Sequence, residues 1–163
     1  MRTVVFGALI ACALIAASGA ASAAEVTGVD IVSFGIYKPA EKEAPQNASD
    51  DVLHASRWTL VKQGDRVPAT LKTSFGIDFI VKGTPEGEPV EITLIYLHPT
   101  MTNATTGRKM DTQEVQVKAI LGKQIHEGYT FDHDWELVTG AWLLEVTHNG
   151  KKLAEKMFSV VKP

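Results

Sequence analysis

Apolar residues recur at every second position along most of this chain, and that period leaves few folds open. Phe75, Ile77, Phe79 and Val81 share one parity, with Gly76, Asp78 and Lys82 on the other. Val90, Ile92, Leu94 and Tyr96 alternate with Glu91 and Thr93, and Val115, Val117, Ala119 and Leu121 with Gln116 and Lys118. Trp142, Leu144 and Val146 oppose Glu145 and Thr147, and Phe158 and Val160 continue the pattern. Successive side chains of a strand point to opposite faces, so each run has one dry face and one wet face. Antiparallel sheets have that character, whereas parallel sheets bury both faces. No segment after Ala24 keeps a helical period over three turns.

The punctuation agrees. Gly83-Thr-Pro-Glu-Gly-Glu-Pro89 is a turn cluster between two strands, and Asn149-Gly150 predicts a two-residue hairpin because both residues tolerate positive φ. The first strand switches parity between Ile31 and Val32, which predicts a bulge or a crossing between sheets. Runs near 29–37, 57–62, 69–82, 90–98, 112–121, 125–131, 141–148 and 153–162 predict seven or eight strands. Many short strands with regular turns imply an all-β fold, an antiparallel immunoglobulin-like β-sandwich. Ser-Phe-Gly-Ile occurs at 33–36 and again at 74–77 with unlike flanks, which reads as two strands each passing a glycine. Two long polar loops are expected, Lys38–Ala55 and Pro99–Asp111.

The first 23 residues read differently. Arg2, an apolar run from Val4 to Ala17, and Ala21-Ser22-Ala23 make a cleavable secretory signal peptide, which leaves residues 24–163 as a single domain. A membrane span needs about 20 apolar residues, and this run dissolves into Ser, Gly and Ala. Leu9-Ile-Ala-Cys12 has the look of a lipobox, but more apolar sequence follows it instead of a polar tether. The expected location is periplasmic or secreted. Cys12 is the single cysteine, so the mature chain would have no disulfide and no thiol nucleophile. A net charge of -3 gives no support to nucleic-acid binding.

Candidate chemistry is sparse. Asp132, His133 and Asp134 are adjacent, with His126 seven residues before His133, a local density of ligands that suits zinc; the plainer reading is a polar turn before Trp135. His98, Met101 and Met110 flank one loop, and imidazole with thioethers is the donor set of copper(I); the plainer reading is loop packing. Ser74, Asp78 and His98 contain the residue types of a hydrolase, but no Gly-x-Ser-x-Gly elbow accompanies them. Arg57 and Trp58 form an aromatic-plus-cation pair suited to contacts, against a plainer reading with Trp58 in the core beside Leu60. Arg108 adds a cation in the second loop.

The last third carries a resemblance. Gly140-Ala-Trp142 opens a strand, Gly150-Lys151 sits in a turn, and Phe158-Ser-Val160 closes the chain. Together with Thr73-Ser-Phe-Gly-Ile-Asp-Phe79 and His98-Pro99, residues 26–162 resemble a bacterial domain-of-unknown-function family of short exported immunoglobulin-like proteins. The resemblance implies a sandwich and an envelope location and brings no catalytic residue with it. Glu127-Gly-Tyr129-Thr-Phe131 is similar to the tyrosine corner of such domains, without the cysteine two residues on. The expectation is therefore a non-catalytic binding or structural module without a cofactor, whose partner is another envelope protein or a small ligand. The alternative is a periplasmic copper- or zinc-binding protein.

Overall fold

The computed structural model describes residues 24–40 and 58–163. Nine strands are present among them: β1 (Glu25–Pro39), β2 (Trp58–Gln63), β3 (Arg66–Pro68), β4 (Ser74–Thr84), β5 (Pro89–Thr102), β6 (Lys109–Ile120), β7 (Gln124–Thr130), β8 (Gly140–His148) and β9 (Lys151–Val161). They form a four-stranded sheet in the order β2-β1-β4-β7 and a five-stranded sheet in the order β3-β9-β8-β5-β6. The immunoglobulin-like sandwich is as expected, with one strand more than the period shows. That strand, β3, has three residues, too few for an alternation to register, and it pairs in parallel with β9. The leader, Arg57 and most of the loop from Lys38 to Ala55 lie outside the described residues.

The period-two residues line the space between the sheets. Phe75, Ile77, Phe79, Val81, Ile92, Leu94, Trp142, Val146 and Phe158 are all buried there. Trp142 is central, with Phe75 and Phe131 edge-on at 5.6 and 5.5 Å and Tyr129 at 5.0 Å. Each such aromatic pair adds about 1 kcal/mol beyond its buried area. At the rim, Lys156 shares the inward parity of Phe158 and lays its ammonium 3.5 Å from the centre of the Phe34 ring.

Asn149 and Gly150 both have positive φ and close the β8–β9 hairpin with His148 opposite Lys151. The parity switch on β1 is a bulge: the register against β4 jumps between Ile31 and Ser33. The expected loop from Pro99 to Asp111 is shorter than predicted, because β5 and β6 run on to Thr102 and Lys109. Its tip is an Asx turn in which the Asn103 side-chain oxygen accepts from the amides of Thr105 and Thr106.

Candidate functional site

The two copies of Ser-Phe-Gly-Ile are antiparallel neighbours. Phe34 stands opposite Ile77, Gly35 opposite Gly76 and Ile36 opposite Phe75, and on the next strand Gly76 faces Gly128. A row of three glycines therefore crosses β1, β4 and β7. A Cβ on Gly76 would run into the Glu127 carbonyl and the Gly128 Cα, and one on Gly128 would meet the Phe75 carbonyl. Both positions need glycine for this close backbone approach.

Side chains on the outer surface of this sheet flank the row. One rung along, Asp78 lies opposite His126; one rung the other way, Ser74 lies opposite Thr130. His126 is buried although it points away from the core, because Tyr37 covers it at 4.1 Å and Trp58 at 5.3 Å between ring centres. Tyr37 starts opposite Ser74 and its hydroxyl hydrogen-bonds the Ser33 hydroxyl at 2.9 Å, so its ring spans the Gly35–Gly76 rung. The His126 Nδ1–H donates to Asp78 at 2.8 Å, and Ser33 donates to the other Asp78 oxygen at 2.6 Å. The Ser74 and Thr130 hydroxyls bond each other at 2.7 Å. Trp58, Ser74, His126, Gly128 and Thr130 line a cleft of about 160 Å³, to which Phe75 and Glu127 also contribute.

The electrostatics follow from this packing. Burial alone would raise Asp78, but hydrogen bonds from His126 and Ser33 outweigh it and hold the carboxyl below the ordinary carboxylate value. Burial, reinforced by the nearby Asp78 charge, pushes the Tyr37 hydroxyl up to about 12, so it stays protonated. Glu127, on the opposite face of β7, is pushed up to about 7 by burial. A nucleophilic triad needs the imidazole between the hydroxyl and the acid. Here the carboxylate lies between Ser33 and His126, so nothing draws the serine proton toward the ring. The arrangement orients an imidazole and does not activate a nucleophile.

Trp58 thus belongs to this cleft and not to the inter-sheet core, while Arg57 lies outside the described residues. Arg108 is exposed at the β5–β6 tip, on the other sheet. Asp132, His133 and Asp134 form the polar turn of the plainer reading. Asp132 binds Lys72 at 2.6 Å, His133 stacks on Trp135 at 5.4 Å, and buried Glu136 accepts the amides of Asp132 and His133 at 2.6 and 3.0 Å. His126 faces Asp78 and is not drawn to that turn. Among the described residues no three His, Cys, Asp or Glu side chains converge on a point that holds a metal ion. Ser74 and Asp78 are two rungs apart on one outer face, and His98 lies in the other sheet, so the three do not meet.

His98 is buried against Trp142, with ring centres 4.7 Å apart. Met101 is buried in the core, and Met110, opposite it on β6, packs against that core. Sequence reasoning missed Ser33, Tyr37 and the Asp78–His126 pair. The signal that would have found them is the repeated tetrapeptide, read as two strands that pair glycine to glycine.

Among solved structures the chain is similar to an immunoglobulin-like protein from Pseudomonas aeruginosa, at 29% identity and a TM-score of 0.62, over 88% of this chain and all of that one. It also aligns with a β-D-glucoside glucohydrolase from Trichoderma reesei at 10% identity and a TM-score of 0.34, over 85% of this chain and 19% of that one, too distant to bear on fold or function. No curated protein sequence matches it. No helix among the described residues is long and apolar enough to cross a membrane. The match of residues 25–160 to the family model makes the chain a member of the domain of unknown function family DUF3859.

Proposed function

We propose that the protein is an exported, non-catalytic binding module that takes a small ring-shaped ligand bearing hydroxyls in the cleft beside Trp58. The observation that carries this reading is the glycine gap between His126 and the Ser74–Thr130 hydroxyl pair, on a sheet face that is otherwise solvent-facing. A sandwich needs no buried ion pair outside its core, since such a pair is a weak source of stability. An aromatic wall with hydroxyl and imidazole hydrogen-bonding groups suits a ligand with one apolar face and a polar rim. Export rests on the leader at residues 1–23, and the carboxylate-centred order of Ser33, Asp78 and His126 supports the absence of catalysis.

The test is an amide NMR titration of residues 24–163 with a panel of monosaccharides and cyclic polyols. The expected result is shifts centred on Gly76, Gly128 and Thr130 that disappear in Trp58→Ala. Shifts scattered over the surface, or unaltered in that variant, remove the reading. For export, residues 1–23 fused to a phosphatase active only outside the cytoplasm should give activity, and an inactive, uncleaved fusion counts against it.

A further inference from the structure

His98 lies outside the cleft, and its surroundings have a separate logic. The β5–β6 ladder pairs Leu97 with Thr112 and then Met101 with Met110. His98, Pro99 and Thr100 therefore stand opposite Asp111 alone. Two steps along β6 advance about 7 Å, so the bulge confines His98 and Met101 to that span. Directly opposed residues share a sheet face, which places the Met110 side chain on the same side as that of Met101. His98 continues the inward parity of Ile92, Leu94 and Tyr96 and is only 7% exposed.

The His98 ring has one defined partner. Its Nδ1 lies 3.0 Å from the Pro99 carbonyl oxygen. A carbonyl only accepts, so Nδ1 carries the proton, and the neutral ring has its lone pair on Nε2. That Nε2 is buried and has no hydrogen-bond partner, alone in this respect among the buried side-chain nitrogen and oxygen atoms of the described residues. Leaving a polar atom so placed carries a desolvation cost that no hydrogen bond offsets. A carbonyl on one ring nitrogen and a free lone pair on the other is the arrangement of a metal-binding histidine.

We propose that His98 Nε2 and the thioether sulfurs of Met101 and Met110 form a binding site for monovalent copper. Thioethers are soft donors that favour copper(I) over zinc or magnesium. Three neutral ligands suit a singly charged ion, and the partly exposed Met110 offers a way in.

The test uses residues 24–163 without an affinity tag, titrated anaerobically with copper(I) against bicinchoninate as competitor. The expected result is one equivalent retained. The 13C-methyl signals of Met101 and Met110 should shift, and that of Met157, exposed on β9, should stay still. His98→Phe and Met110→Leu should each weaken retention by at least about tenfold while the thermal transition remains cooperative. Trp58→Ala should bind copper unchanged, which separates this site from the cleft. Loss of the metal to the competitor, equal movement of all three methyl signals, unaltered affinity in both variants, or preference for zinc(II) would each overturn the proposal.

Discussion

Among the described residues two histidines are buried almost equally and for opposite reasons. His126 is 6% exposed and His98 is 7% exposed. His126 stands on the outside of the four-stranded sheet, covered by Tyr37 and Trp58, and a carboxylate fixes its ring. His98 stands inside the sandwich, pressed against Trp142, and its one partner is the next residue's carbonyl. Depth of burial therefore does not identify a histidine's role. The partner does: an acid locks the first ring into a network, whereas the second keeps an uncommitted nitrogen.

The largest way to break this contrast is to remove the acid. Asp78→Ala strips His126 of its partner and Ser33 of its acceptor, and urea denaturation should show a loss of about 3 kcal/mol. Asp78→Asn keeps hydrogen-bonding groups at both positions and should lose about 1 kcal/mol. If Asp78→Ala also loses only about 1 kcal/mol, the carboxylate is not what holds His126 in place. The pH dependence has a defined sign. Because Asp78 titrates lower folded than unfolded, its contribution is complete above the ordinary carboxylate range and is lost as pH falls through the folded value.

Glu127 sharpens the contrast from the other face of β7, as a half-buried acid whose shift comes from burial. Its carboxyl rises from 4.5 to about 7 on folding through burial. Between those values the folded chain holds a proton that the unfolded chain has released, so stability declines as pH rises from about 4.5 to 7. Glu127→Gln should flatten that decline and, with allowance for partial solvation, raise stability at pH 8 by about 1–2 kcal/mol. Melting curves across pH check it; an unchanged slope in the variant would assign the decline to other groups.

Local signals made the sandwich legible. Parity, the Asn149-Gly150 turn and the Ile31–Val32 switch each act within a few residues, and each appears where the sequence puts it. The cleft was not legible, because its members are brought together by register. Asp78 and His126 are 48 positions apart, and Ser33 and Asp78 are 45 apart. A one-residue slip in either pairing would send these side chains to the other face. His126 stood out as a metal ligand through its distance from His133, which in space is irrelevant to it. His98, Met101 and Met110 were legible as a donor set because one hairpin carries all three. The bulge beside them was not, since nothing in His98-Pro99-Thr100 announces two extra residues on one strand.

The smallest effect is expected where the histidine has least to lose. His98→Phe keeps a flat ring against Trp142 and removes the unpartnered Nε2, so the desolvation penalty of that atom goes with it. The hydrogen bond to the Pro99 carbonyl is lost as well, which offsets part of the gain. The net change in urea denaturation should lie within about 1 kcal/mol of zero. His126→Phe, by contrast, takes the imidazole donor away from the Asp78 carboxylate and should cost about 2 kcal/mol. Equal losses in the two variants would mean that both rings are held by shape alone, and that the hydrogen-bond partner on each ring does not divide their roles.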